Sequence, residues 1–219
     1  MTDGLAAVAF DMDGLLVDTE PLWLETETEV MARLGAQWTP RDQEALLGGS
    51  MQRTVSYLLA KATRSASPEA VERWLTEGML ERVRAGRVVV QPGARDLLAA
   101  VAAAGLPHAL VTSSQRPFAV AVLASTALAF PVTVCAEDVA MTKPDPEPYR
   151  LAAKLLDADP ARCVALEDSP NGVASASAAG LRVVAVPSLV AIPPAPGRVV
   201  AASLRDVTLA TLRALARPA

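Results

Sequence analysis

Acidic residues crowd the end of the first apolar segment of the chain. In the stretch "VAFDMDGLLVDTE", Asp11 and Asp13 follow the apolar residues directly, and Asp18 lies a short distance further on. Carboxylates this close repel one another unless a cation lies among them. A hard divalent cation such as Mg²⁺ is typically held by one or two carboxylates together with waters and phosphate oxygens. A metal site is therefore the first hypothesis for this segment.

Polar side chains also follow three other apolar segments. Thr112 and Ser113 follow "HALV", Lys143 lies in "TKP" beyond "VTVCA", and "CVALED" ends in Glu167 and Asp168. If these segments are parallel strands, their carboxyl ends meet at one edge of the sheet, where α/β proteins bind their ligands. We therefore expect carboxylates, hydroxyls and one lysine to share a single cleft.

Together these side chains suit phosphoryl transfer assisted by Mg²⁺. Asp11 and Asp168 would bind the cation, while Thr112 and Lys143 would hold phosphate oxygens as a hydroxyl donor and a point charge. A carboxylate beside a metal-bound phosphate can attack it and form an aspartyl-phosphate. Asp13, two residues after Asp11, is placed to carry a proton during that reaction.

Each of these motifs also has an ordinary structural interpretation. Aspartates after a strand are common turn formers, and Thr112, Lys143 and Asp168 could be a helix cap, a surface lysine and a helix N-cap. A calcium loop of the EF-hand type is excluded. Counted from the first aspartate, Gly14 is fourth and Leu22 twelfth, whereas that loop requires glycine sixth and glutamate twelfth. The occurrence of all four motifs at predicted strand ends favours the functional interpretation.

The pattern along the chain predicts an α/β fold with an inserted helical domain. Residues 5–10 are a short apolar run typical of a buried strand, and from Val88 onward predicted strands and helices alternate. Such alternation favours a Rossmann-like core of three layers, a parallel sheet with helices on both faces. We therefore predict a core domain of residues 1–14 and 88–219, and an all-α cap domain of residues 15–87.

Composition and charge argue against nucleic-acid and membrane partners. The net charge is −4, the arginines are scattered, and aromatic residues make up only 4% of the chain, too few for a base-stacking surface. The uncharged stretch 117–136 approaches the length of a membrane span. Because Pro131 interrupts it and no basic flank anchors it, we expect a helix, a turn and a strand instead.

A cytoplasmic location is expected from the two cysteines and the first residues. Cys135 and Cys163 lie far apart in the sequence, which favours buried, reduced thiols over a disulfide framework. Asp3 stands where a signal peptide would carry basic residues. The helix expected around residue 120 lacks a polar face, which is unusual for a surface helix and suggests a surface for self-association. We therefore expect a monomer or a weak homodimer.

Taken together, the four motifs resemble those of the haloacid-dehalogenase-like hydrolases. The motifs stand here as "DMDGLLVDTE", "LVTSS", "KPDPEPY" and "LEDSPNG", and the resemblance covers almost the whole chain. A helical insertion after the first strand is typical of one subgroup of that family. "DTEPLW" and "CVALEDSPNG" resemble its β-phosphoglucomutase-like branch, especially the hexitol and 2-deoxyglucose-6-phosphate phosphatases.

The resemblance implies a role for each acidic motif residue. Asp11 would be the nucleophile. Asp13 would protonate the leaving oxygen and then activate the water that hydrolyses the aspartyl-phosphate. Mg²⁺ would be held by Asp11, the backbone carbonyl of Asp13, and Asp168, with Glu167 bound to it directly or through water.

Phosphate binding and substrate choice are assigned by the resemblance to other residues. Thr112, its neighbour Ser113, and Lys143 would hold the transferring phosphoryl group. The cap would choose the substrate, and its loop "LLGGSMQRTV" contains Gly49 and Arg53, the best candidates for contacts with sugar hydroxyls or a second phosphate. The implied substrates are small sugar or polyol phosphate monoesters.

Trp23 bears on the choice between a phosphatase and a mutase. Mutases of this branch carry a histidine near this position, whereas the only histidine here is His108, expected at the surface or at a helix end. Trp23 is expected either in the cap core or as a wall against the sugar. We therefore expect a phosphatase, with a phosphosugar mutase as the alternative and a non-catalytic binding module as a third hypothesis.

Overall fold

The computed structural model describes residues 4–46 and 51–217, which divide into two compact units. One unit combines Met1–Asp18 with Val89–Ala219, and the other is Thr19–Val88. We call them the α/β unit and the helical unit. Because the second is inserted into the first, the chain passes between the units twice.

The α/β unit is built on a parallel sheet. In chain order its strands are β1 (Ala7–Phe10), β2 (Val17–Asp18), β3 (Val89–Val90), β4 (His108–Val111), β5 (Val132–Val134), β6 (Cys163–Glu167), β7 (Arg182–Ala185) and β8 (Arg198–Val200). Six of them form one parallel sheet in the order β5-β4-β1-β6-β7-β8. The two short strands β2 and β3 pair antiparallel with each other. The α/β class predicted from the sequence is confirmed.

Helices complete both units. The helical unit consists of α1 (Glu20–Arg33), α2 (Pro40–Leu46), α3 (Met51–Lys61) and α4 (Pro68–Arg84). The α/β unit contains α5 (Ala94–Ala103), α6 (Arg116–Thr126), α7 (Glu147–Leu155), α8 (Pro170–Ala178) and α9 (Leu209–Leu215). The described residues of the helical unit form no strand, whereas the range 15–87 predicted as an all-α cap also includes β2.

The register of the central strands aligns their carboxyl ends. Phe10 of β1 pairs with Leu110 of β4 and with Leu166 of β6. Since the strands are parallel, Asp11, which directly follows β1, and Glu167, the last residue of β6, lie at the same level of the sheet. β1, β4 and β6 are buried along their whole length, which is typical of a parallel sheet covered on both faces.

Small side chains line the face of the sheet that α7 and α8 cover. Ala7 and Ala9 of β1 and Ala165 of β6 lie in one buried cluster with Tyr149 of α7 and Val173 of α8. Successive strand residues point to opposite faces, so the larger side chains between these alanines point to the other face. Alanine leaves little bulk between sheet and helix, which favours close packing of α7 and α8 on the strands.

The helical unit has an apolar core of its own. The core is formed by buried side chains of α1, of the residue that follows α1, and of α3 and α4. These are Val30, Met31, Leu34, Val55, Leu58, Val71 and Leu75. At the start of α4, Pro68 lies in the first turn, and the hydroxyl of Ser67 accepts a hydrogen bond from the backbone N–H of Ala70 at 3.2 Å, as is common at helix N-termini. Arg82 of α4 donates to Glu25 and Glu29, which joins α4 to α1.

Several local expectations are corrected by the structure. Thr19 precedes α1 and is of a type that favours the N-cap position, but its side chain makes no capping hydrogen bond. His108 is buried as the first residue of β4 instead of lying at the surface, because its ring packs edge-on at 5.8 Å against Phe130 and its Nδ1 lies 2.8 Å from the carbonyl oxygen of Leu106. The elements β8 and α9 were not predicted from the sequence.

The uncharged stretch of the sequence forms α6 and then β5, the helix and strand that were predicted. In the described part of the chain, no helix combines the length and the apolar character needed to cross a membrane. Cys135 and Cys163 are both free and buried, as expected.

Glu27 of α1 is a buried acid with incomplete hydrogen bonding. It is 4% exposed, and its Oε2 has no hydrogen-bond partner among the described residues. Burial and then the charge of Glu20 raise the pKa of Glu27 to about 7, against an opposing hydrogen bond from Gln43. Because this pKa lies above the ordinary value of 4.5, the folded state binds the proton more tightly than the unfolded state. The free energy of unfolding should therefore fall as pH rises between these two values and then level off.

We expect Glu27→Gln to stabilise the helical unit at pH 8 by roughly 1–2 kcal/mol, because it removes a buried charge and keeps the shape of the side chain. The gain should shrink at pH 5, where the wild-type acid is protonated. Thermal unfolding followed by tryptophan fluorescence reports on this unit, since Trp23, Trp38 and Trp74 are the only tryptophans of the chain.

The exposed residue Glu77 of α4 provides the control for this experiment. Glu77→Gln changes the same net charge on the same unit without touching a buried carboxylate. A stabilisation by Glu27→Gln that is equal at both pH values, or that Glu77→Gln reproduces, would contradict the prediction.

Candidate active site

The predicted motif residues meet at the carboxyl edge of the sheet. The N–H of Asp11 donates to the carbonyl oxygen of Leu166 at 3.1 Å, which continues the ladder between β1 and β6 beyond its last pair. The N–H of Thr112 donates in the same way to Val134 at 2.9 Å. The ends of β1, β4, β5 and β6 are thus tied together, and Asp11 lies beside Glu167 and Asp168.

Lys143 is buried among acceptors at this edge. Its ammonium forms an ion pair with Asp11, donates to Oε1 of Glu167 at 2.6 Å and donates to the carbonyl oxygen of Val111 at 2.8 Å. The side chain is only 6% exposed. Burial alone would lower the pKa of Lys143, but the charges of Asp11 and Glu167 and their hydrogen bonds raise it above its ordinary value. Lys143 is therefore a fixed positive charge.

Three buried carboxylates form a cluster around this lysine. Oxygen atoms of Asp11, Glu167 and Asp168 all lie within 4.8 Å of one another. Burial raises the pKa of Asp11 well above its ordinary value, although Lys143 opposes this. Burial also raises the pKa of Asp168 to about 7, with Ser188 opposing and Glu167 adding to the effect. The ionised form of the cluster would place three carboxylates around one ammonium, so a further cation would stabilise it, and its hard oxygen donors fit Mg²⁺.

Glu167 is held on both sides of its carboxylate. Oε1 accepts from Lys143 and from the hydroxyl of Tyr149 at 2.5 Å. Oε2 accepts from the backbone N–H of Asp168 at 3.2 Å and from the hydroxyl of Ser169 at 3.4 Å. These donors fix the carboxylate at the start of α8.

Gly172 makes room for that carboxylate. A Cβ at Gly172 would lie 2.0 Å from the carboxylate carbon and from both oxygens of Glu167, far inside van der Waals contact. Glycine is unfavourable inside a helix by about 1 kcal/mol relative to alanine. Its presence in α8 is therefore explained by the space that Glu167 needs.

Ser114 connects the second motif to Asp13. Its hydroxyl donates to Oδ2 of Asp13 at 2.8 Å, and its backbone N–H donates to the hydroxyl of Thr112 at 3.0 Å. Asp13 and Ser114 are half-buried, Thr112 is buried, and Ser113 is exposed. Both serines of "LVTSS" were recognised as polar residues at a strand end, but only Ser113 was predicted to bind phosphate, and Ser114 was given no role.

Asp168 lies against two residues that were not among the predicted site residues. The hydroxyl of Ser188, which follows β7, donates to Oδ2 of Asp168. Gly14 adopts a positive φ of 84°, and a Cβ there would lie 2.0 Å from the same oxygen. Gly14 was visible in the first motif, whereas no local pattern marks Ser188, because the contact joins two separate strand ends.

The residues proposed for substrate choice belong to the inserted segment Thr19–Val88 and not to the carboxylate–lysine cluster. Trp23 is half-buried and packs against the apolar core of that unit. Arg53 is exposed and its guanidinium donates to the carbonyl oxygen of Ala45 at 2.7 Å. Gly49 lies outside the described residues. A role for any of the three in substrate binding stays a prediction.

The fold and the site define an α/β protein with a carboxylate–lysine cluster at the carboxyl ends of its parallel strands. A family model described as haloacid dehalogenase-like hydrolase matches residues 8–186. The chain therefore belongs to the haloacid dehalogenase-like hydrolase family, which confirms the resemblance seen in the motifs.

Known proteins similar to this chain include phosphatases. Hexitol phosphatase B of Escherichia coli (strain K12) is 35% identical over 191 residues, which cover 84% of each chain. A plasmid phosphoglycolate phosphatase of Cupriavidus necator is 37% identical over 220 residues, which cover 97% of this chain and 94% of the relative. A solved structure of a CbbY mutant from Rhodobacter sphaeroides in complex with xylulose-(1,5)bisphosphate has a TM-score of 0.84 at 30% identity, covering 95% of this chain and 99% of that chain.

We expect Gly172→Ala to destabilise the protein by roughly 2–3 kcal/mol, because the new methyl group must displace the buried carboxylate of Glu167. The propensity of alanine for helices acts in the opposite direction, so the sign of the change is informative. Urea denaturation followed by far-ultraviolet circular dichroism measures it.

The double variant Glu167→Ala/Gly172→Ala is the matched control. Without the carboxylate the clash is gone, so the second substitution should leave the stability of Glu167→Ala unchanged or increase it. Stabilisation by Gly172→Ala in the wild-type background would show that the site tolerates the methyl group and would refute this explanation.

Proposed function

We propose that this chain is a Mg²⁺-dependent phosphatase that hydrolyses small sugar or polyol phosphate monoesters through an aspartyl-phosphate. The observation that carries the proposal is the buried ion pair of Lys143 with Asp11 and Glu167, with Asp168 beside them. A lysine next to a carboxylate nucleophile lowers the repulsion between that nucleophile and an anionic phosphate. The similarity to sugar-phosphate phosphatases supports the same reaction.

Asp11 is the proposed nucleophile. In the first half-reaction one of its carboxylate oxygens forms a bond to phosphorus while the bond between phosphorus and the ester oxygen of the substrate breaks. The leaving oxygen takes a proton from the carboxyl group of Asp13. The hydrogen bond from Ser114 to Asp13, 2.8 Å long, supports this assignment because it orients the acid.

The second half-reaction restores both acids. The carboxylate of Asp13 takes a proton from a water molecule, whose oxygen forms a bond to phosphorus as the bond to Asp11 breaks. Inorganic phosphate is released, Asp11 is again a carboxylate, and Asp13 is again protonated. The same residue thus acts first as the acid and then as the base.

The remaining residues of the site bind charge. Asp11, the backbone carbonyl of Asp13, and Asp168 are the proposed ligands of Mg²⁺, and Glu167 adds negative charge beside them. When bound, Mg²⁺ supplies electrostatic stabilisation of the negative charge on the phosphoryl group. Thr112, Ser113 and Lys143 are the proposed contacts of the phosphoryl oxygens.

Sugar or polyol phosphates are the proposed substrate class. The support comes from similarity to hexitol phosphatase B and to a CbbY structure that holds a sugar bisphosphate. We propose that the helical unit selects the substrate, with Arg53, Gly49 and Trp23 as the first positions to vary. Trp23 in place of a histidine favours hydrolysis over transfer within a phosphosugar.

The test is phosphate release from a panel of hexose, hexitol, triose and glycolate phosphates, with either Mg²⁺ or EDTA. We expect release from a few members, abolished by EDTA. We expect Asp11→Asn to lower the rate by at least about 10³-fold, because it removes the nucleophile and little volume. Asp13→Asn should slow both half-reactions by at least about 10²-fold.

Asp96→Asn is the control, because Asp96 is an exposed acid of α5. It should retain full activity. Retained activity in Asp11→Asn would sink the assignment of the nucleophile. Rearranged sugar phosphate without phosphate release would establish the mutase instead.

A further inference from the structure

Tyr149 of α7 contacts both partners of the buried ion pair at the active site. Its side chain is fully buried, and its hydroxyl donates to Oε1 of Glu167 at 2.5 Å. The ammonium of Lys143 lies 5.1 Å from the centroid of its ring, a separation typical of a cation–π interaction. One side chain therefore contacts the anion through its hydroxyl group and the cation through its ring.

The hydroxyl completes the hydrogen bonding of the pair. Oε1 of Glu167 accepts from Tyr149 and from Lys143, so both of its lone pairs are used. The three N–H donors of Lys143 are directed at Glu167, at Asp11 and at the carbonyl oxygen of Val111. With these donors and acceptors matched, the ammonium has little freedom to rotate or to move away from Asp11.

We propose that Tyr149 is a positioning residue for phosphoryl transfer. Its hydroxyl directs the carboxylate of Glu167, and its ring face holds the Lys143 ammonium, so that the lysine stays aimed at Asp11. Tyr149 acts through these two residues and does not touch the reacting phosphoryl group. The inference rests on the proposed function of the site, although the position of Lys143 can be measured without any activity.

The helical unit contains a second arrangement of the same three groups. The hydroxyl of Tyr57 donates to Oδ1 of Asp42 at 2.7 Å, Lys61 forms an ion pair with Asp42, and the Lys61 ammonium lies 5.7 Å from the centroid of the Tyr57 ring. Tyr57 and Tyr149 are the only tyrosines of the chain. Tyr57→Phe therefore removes a similar hydroxyl–carboxylate bond outside the proposed catalytic residues and is a matched control for Tyr149→Phe.

The first experiment follows the lysine ammonium groups by NMR in metal-free protein labelled with ¹⁵N-lysine. The chain has only three lysines, Lys61, Lys143 and the exposed Lys154, so their signals can be assigned by substitution. We expect Tyr149→Phe to shift the Lys143 signal and to speed its hydrogen exchange at least about fivefold, because the buried pair loosens. The Lys61 signal should not change, and Tyr57→Phe should have the converse effect.

The second experiment measures phosphate release in the presence of Mg²⁺. Tyr149→Phe keeps the ring and should lower kcat about tenfold with KM changed by less than about twofold, because a misdirected lysine weakens stabilisation of the transition state more than it weakens binding of the substrate. Tyr57→Phe should leave kcat unchanged. In a Glu167→Gln background, Tyr149→Phe should cost no more than a further factor of about two, since its hydroxyl acts through Glu167.

The outcomes separate the two proposals. A wild-type protein that releases no phosphate from any substrate rejects the proposed function, while the NMR comparison still decides the role of Tyr149. An unchanged Lys143 signal and exchange rate in Tyr149→Phe overturns the positioning role. An equal loss of kcat in Tyr57→Phe, or a full tenfold loss in the Glu167→Gln background, overturns it as well.

Discussion

The carboxyl edge of the sheet depends on the burial of one ammonium group. Lys143 is 6% exposed and donates to an oxygen from each of three segments, the ends of β1, β4 and β6. Burying a charge is unfavourable by several kcal/mol unless its partners are all in place. The positions of Asp11 and Glu167 are therefore coupled, because a shift of either leaves the lysine with an unmatched donor in a dry environment.

The surrounding sequence accommodates this buried ion pair. Gly14 and Gly172 leave the space that the carboxylates of Asp168 and Glu167 occupy. Alanines on the strands leave room for α7, which places the ring of Tyr149 next to Lys143. The small residues near the site thus serve the same arrangement as the charged residues: the glycines leave space for the acids, and the alanines leave space for α7.

The acids were predicted because they lie at the ends of apolar strand patterns, and Lys143 because it lies in a polar segment beyond the next strand; parallel strands bring such ends together. Ser188 and Tyr149 could not be found in this way. Ser188 acts on Asp168 from a segment that no local pattern marks. Tyr149 ends the motif "KPDPEPY", but its residue type and its place in a helix do not reveal its contact with Glu167 of another element. The strand β8 was missed because it is short and follows a proline-rich loop, and its pairing with β7 supplies the hydrogen bonds that its three residues cannot satisfy alone.

The two short strands β2 and β3 have a consequence for how the chain can be rebuilt. Val17 pairs with Val90 and Asp18 with Val89, so the two ends of the inserted segment leave the α/β unit side by side. A tight two-residue turn such as Asn-Gly joins antiparallel strands at this spacing. The segment Thr19–Val88 can thus be treated as a cassette: its removal leaves a β-hairpin, and another domain whose termini lie close together can be grafted between the same two strands.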